Sequence, residues 1–108
     1  GTEHVLYKEI AWGDSTSVNV SAYCAGRDWD GSSNGTMSIG VDLNGCATSW
    51  SDADYTNSRT SNNETWATVS LSSLQKPQGA NTFTLLLRAS RSGSSWNCQF
   101  DAVSVSGN

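Results

Sequence analysis

The chain has 108 residues, enough for one domain around one modest core and too few for two. Hydrophobic residues make up 36% and charged residues only 15%, so Ser, Thr, Asn and Gly supply the polarity of an ordered rather than a disordered chain. A net charge of -4 and a pI near 4.6 exclude the basic stripe that phosphate backbones or an anionic membrane would require. No apolar stretch reaches the length of a membrane span, and no charged-then-apolar segment precedes Gly1, so the chain reads as a mature or excised domain covering residues 1–108.

HVLYKEIAW (4–12) reads as a first strand, but a charged residue falls on each of its faces and its register stays open. SVNVSAYCAG (17–26) alternates Val18, Val20, Ala22 and Cys24 against Asn19, Ser21 and Tyr23. TMSIGVDLNG (36–45) does the same with Met37, Ile39, Val41 and Leu43. Period two is the pattern of a half-buried strand. The next segment, SDADYTNSRTSNNE, reads as a loop too long for a hairpin, and a stretch of that length is either functional or hides a strand. TWATVSLSSL (65–74) and NTFTLLLRAS (81–90) resume the alternation. In QFDAVSV (99–105), Phe100, Val103 and Val105 share an inward face only if a bulge at Asp101 and Ala102 shifts the phase. Short strands separated by Gly/Ser clusters predict an all-β sandwich of two antiparallel sheets.

Cys24, Cys46 and Cys98 form an odd set without a CxxC, which argues against zinc. Antiparallel pairing of the last strand with 17–24 would set Cys24 against Cys98, so that disulfide is expected, with Cys46 free. A disulfide and a surface poor in charge suit a secreted protein.

The segment order "SVNVSAY", "TMSIGVDLNG", "TWATVSLSSL", "GANTFTLLLRAS" and "FDAVSVS" resembles the galactose-binding-like jelly rolls that serve as carbohydrate-binding modules on polysaccharide-degrading enzymes. It covers residues 17–106. The resemblance implies a jelly-roll sandwich that is monomeric, non-catalytic and linked to a glycoside hydrolase, binding a plant-cell-wall β-glucan such as cellulose chains, xyloglucan or mixed-linkage glucan. It also implies a structural calcium ion held by Asp101 with Glu3 or Glu9, and it places Trp66, in a Trp-x-x-Val-x-Leu pattern, in the core.

Tryptophan carries the expected chemistry, because an indole offers a flat apolar face to a pyranose ring. Trp29, Trp50 and Trp96 lie in polar stretches and are the stacking candidates, each with a second reading as a lid over the sandwich; Trp12 fits either core or surface. Tyr55, Asp52, Asp54, Arg59 and Arg91 lie near them in sequence and could meet sugar hydroxyls. Asp28, Asp30 and Asn34 supply hard oxygen donors around a Gly-containing turn, a second and weaker calcium pattern, since no Glu closes the loop. Catalysis lacks its parts: the single histidine is His4, and the cysteines have no partner base. A structural or adhesion sandwich of a cell-surface or virion protein is the alternative reading.

Overall fold

Alternating side chains along short extended segments can be buried only if two sheets turn their apolar sides toward each other. The computed structural model describes residues 3–28, 35–61, 64–91 and 96–108, and it has this arrangement. Its strands are β1 (Glu3–Ala11), β2 (Ser17–Asp28), β3 (Gly35–Asp42), β4 (Tyr55–Ser61), β5 (Ala67–Gln75), β6 (Thr82–Arg91) and β7 (Trp96–Gly107), with one 3-10 turn at Trp50–Asp52. One sheet has the order β1-β6-β3-β4 and the other β5-β2-β7, every pairing antiparallel. Apart from β3 and β4, successive strands change sheet, the crossing pattern of a jelly roll.

The core forms where the two alternations meet. Val18, Val20, Ala22 and Cys24 of β2 face Met37, Ile39 and Val41 of β3, with Val69, Leu74, Phe83 and Leu85 closing the cluster. Each fully buried aliphatic or aromatic side chain here contributes roughly 1.5–3 kcal/mol. Trp12 belongs to this core: it is 2% exposed, its ring lies 4.9 Å from that of Phe83, and its Nε1 donates to the Leu43 carbonyl at 2.9 Å.

The segment after the 3-10 turn does hide a strand, β4, which sequence periodicity could not show because its inward side is polar. Asn57, Arg59 and Ser61 share the side of Ile39 and Met37, and they reach across to the other sheet. Asn57 Nδ2 donates to the Ser70 carbonyl at 2.9 Å, Arg59 Nη1 to the Cys24 carbonyl at 2.5 Å, and Ser61 Oγ to the Gly26 carbonyl at 2.9 Å. Polar side chains thus tie the sheets together at this edge by satisfying backbone acceptors.

The bulge expected in the last strand is present. The β2–β7 register slips between Ser21 and Tyr23, and Ala102 at the slip has φ 49°, a left-handed conformation. Phe100 and Val105 therefore sit on the same inner side, opposite Cys24 and Val20.

The disulfide is corrected. β2 and β7 are partners, but the register sets Cys24 against Phe100 and Cys98 against Gly26, and all three cysteines are free. Diagonal neighbours on an antiparallel pair lie about 7–8 Å apart, beyond the ~4.4–6.8 Å Cα separation that a disulfide spans. Burial, and secondarily the neighbouring Cys24, pushes the Cys98 thiol up to about 12. Burial also raises Cys24, partly offset by the Arg59 hydrogen bond.

Four strands over three leave β1 without a strand facing it. Its register is now fixed: Leu6, Lys8 and Ile10 oppose Leu87, Leu85 and Phe83 and share their inward side. Only Ile10 packs on the core; Leu6 is 68% exposed, over an open apolar hollow of about 320 Å³ lined also by Leu85 and Leu87. An overhanging edge strand meets water on both sides, which is why charges appear on both of its faces.

Candidate functional site

Trp50 lies on the outer side of the four-stranded sheet, brought there by the 43–54 connection that folds back over β3 and β6. Asp52 holds the connection's turn: its Oδ2 accepts from the Thr48 and Ser49 backbone N–H groups at 2.8 and 3.1 Å. Those two hydrogen bonds hold its carboxyl below the usual carboxylate range. Asp54 Oδ2 accepts from Leu43 N at 2.8 Å, and Thr84 Oγ1 donates to the Gly45 carbonyl at 2.7 Å. The clamped loop presses the indole onto Gly40, where an added Cβ would stand 3.1 Å from Cη2 of the ring.

The Arg88 guanidinium lies 5.4 Å from the Trp50 ring centroid and pairs with Glu3. Leu86, the partner of Gly40 across the ladder and so on the side of the sheet that Trp50 occupies, is fully buried although it points away from the main core. Trp50 is therefore a lid, its ring engaged by a cation of its own chain. Asp52, Asp54 and Arg59, expected near sugar hydroxyls, are committed to turn and inter-sheet hydrogen bonds instead. Tyr55 is exposed at the start of β4 and shares the side of Val41, opposite to the side that Trp50 covers.

Of the other two stacking candidates, Trp96 opens β7 at one end of the sandwich. In the β2–β7 ladder Asp28 pairs with Trp96. Trp29 follows Asp28 directly in the chain but lies outside the described residues, as do Asp30 and Asn34. In the other sheet, Gly35 pairs with both Arg91 and Ser61, so five strand ends of the two sheets, those of β2, β3, β4, β6 and β7, gather at this end.

The acidic residues expected to hold calcium are not brought together. Asp101 pairs with Tyr23 on the outward side of the three-stranded sheet, whereas Glu3 and Glu9 lie with Arg88 and Thr84 on the outward side of the four-stranded one. The body of the sandwich separates them, and Glu3 already has a cationic partner. Among the described residues no three His, Cys, Asp or Glu side chains cluster as a metal site requires. Asp101 Oδ1 instead accepts from Ala102 N at 2.8 Å, within the bulge.

One aromatic feature escaped the sequence reasoning. Tyr23 and Trp66 stack on the outer side of the three-stranded sheet, ring centroids 5.2 Å apart and planes inclined by 26°. Tyr23 remains 41% exposed. Trp66 is thus not in the core, contrary to expectation. Its own spacing carried the signal: it shares the even numbering of the outward Thr68 and Ser70, whereas the buried Val69 is odd.

A scan of protein-family models finds no match to this chain, and no curated protein or solved structure matches it.

Proposed function

We propose that this chain is a non-catalytic carbohydrate-binding domain of a secreted protein. It takes an extended β-glucan at the end of the sandwich where β2 stops and β7 begins, and it holds a covalently attached glycoside hydrolase near polysaccharide. The observation that carries this reading is the pairing of Asp28 with Trp96, which opens β7 beside the end of β2, Trp29 being the next residue in sequence after Asp28. A tryptophan at a strand end, with a second one next in sequence to its ladder partner, suits a ligand with flat apolar faces and hydroxylated edges. The resemblance in segment order supports the same role.

A pyranose covering about 60–80 Å² of an indole removes apolar surface worth roughly 1.5–2 kcal/mol. Two such contacts, less the cost of ordering the sugar, give dissociation constants on the order of micromolar to millimolar. Native affinity electrophoresis through gels containing mixed-linkage glucan, xyloglucan or hydroxyethylcellulose tests this. Retardation by at least one glucan is expected, weakened about tenfold or more by Trp29→Ala or Trp96→Ala and kept by Trp50→Ala. Migration unaffected by all three polymers, or retardation untouched by the first two substitutions, would sink the reading.

A further inference from the structure

A strand that ends a sheet leaves the N–H and C=O of every second residue without a partner, and chains blunt such edges with charge, proline or a covering segment. β7 ends the three-stranded sheet, and after Asp101 its AVSVSG segment carries neither charge nor proline. Ser17 and Asn108 exchange both backbone hydrogen bonds, so by alternation along the ladder Val105 and Gly107 turn theirs away from β2, toward the free edge. Val103 and Val105, on the inward side of that edge, remain 39% and 37% exposed.

The strand missing beside β7 is matched by a strand in surplus. β7 packs under β3 and β6, so β1 projects past it, with the apolar hollow beneath Leu6, Leu85 and Leu87. β1 turns back through residues 12–16 into β2, which runs antiparallel to β7, so β1 and β7 run the same way. A two-fold axis parallel to the strands and midway between the layers carries β1 of one copy into the hollow of the other, alongside its β7. Both vacancies fill at once, and each sheet grows to seven strands.

We infer that two copies of this chain associate about this axis, β1 of each adding to the β7 edge of the other. A strand of nine residues is about 30 Å long, and a step one strand wide and two layers high along it covers roughly 700 Å² on each copy, close to the ~800 Å² per partner of a stable interface. The other edges do not fit. β4 and β5 close the far side together, so neither enters a slot one strand wide, and two β7 edges joined about an axis perpendicular to the sheets would drive each β1 into the other copy's β6. Lys8 faces inward opposite Leu85 in the ladder, and the axis sets it near a second Lys8; these like charges keep the dissociation constant on the order of 10–100 µM. Because the axis runs along the strands, both copies present the end where β7 opens in the same direction. A polysaccharide held there would meet two sites at once, although the dimer itself does not rest on the carbohydrate-binding reading.

Sedimentation velocity on the full chain reads the association directly. Between about 5 and 500 µM the mass is expected to rise from monomer to dimer, and amide exchange at Val105 and Gly107 to slow with it. Leu6→Arg, at a position 68% exposed in the single copy and so compatible with folding, weakens the dimer by about tenfold or more. Lys8→Met tightens it on the order of tenfold by removing the facing charges. A chain still monomeric at about 500 µM, a dimer unmoved by Leu6→Arg, or one weakened by Lys8→Met overturns the inference. Val103 and Val105 amides that shift only on adding a synthetic peptide of alternating valine and glutamate, the chain staying monomeric, would assign the slot to a foreign strand and overturn the second copy.

Discussion

Replacing Gly40 with alanine tests whether Trp50 is a seated lid. An ideal Cβ at this position stands 3.1 and 3.2 Å from two carbons of the Trp50 ring and 3.2 Å from the Ala53 Cβ, where carbon atoms settle at about 3.5–4.0 Å. Neither neighbour can yield easily. Ala53 N donates to the Trp50 carbonyl at 3.2 Å, Asp54 N to the Val41 carbonyl at 2.8 Å, and the Asp52 carboxylate holds the start of the turn. Overpacking of this kind costs about 1–3 kcal/mol, offset by about 0.5–1 kcal/mol from replacing a strand glycine, a net loss of about 1 kcal/mol at mid-range. For a domain of this size that lowers Tm by roughly 4–8 °C, read by calorimetry or circular dichroism. In a Trp50→Leu background the same Gly40→Ala change should be neutral or stabilising, a coupling of at least about 0.5 kcal/mol between the two sites. An unchanged Tm in the single variant, or equal losses in both backgrounds, would refute the seating of the indole on Gly40.

Two further outcomes follow from burial. Cys98 keeps its proton up to about pH 12 in the folded chain, whereas an unfolded thiol loses it near about 8.5, so the folded state binds more protons between those values. Stability should hold below about pH 8.5 and fall as pH rises toward 12, and Cys98→Ala should flatten that part of the urea-unfolding profile; an identical slope in both proteins would contradict it. Leu86→Ala should cost about 2–5 kcal/mol because the side chain is completely buried, while Leu6→Ala on the overhang should stay within about 0.5 kcal/mol. Equal losses in urea titrations would contradict the burial of Leu86.

Much of the fold was legible because strand burial has a period of two and nothing else in the chain competed with it. Alternation alone located β2, β3, β5 and β6, and counting inward positions in the last strand required the bulge that Ala102 supplies. The strand β4 was not legible, since its inward Asn57, Arg59 and Ser61 bond to carbonyls of the opposite sheet. A polar residue facing a backbone acceptor and one facing water read alike in sequence. The candidate site divided in the same way. The outward position of Trp66 was written in its numbering relative to Thr68 and Ser70, but its contact with Tyr23 needed the pairing of β2 with β5.

By itself the sequence determined the sandwich, its apolar faces and an acidic, hydroxyl-rich surface, because these follow from which side chains alternate and which charges are absent. Tertiary structure alone decided what each aromatic does. Trp12 entered the core, Trp50 became a lid over Gly40, and Trp66 joined Tyr23 in the open. It also parted Cys24 from Cys98 by a two-residue register and set Asp101 and Glu3 on opposite outer faces. Each of these outcomes depends on register between distant strands, which the pairing of whole sheets fixes and local spacing does not.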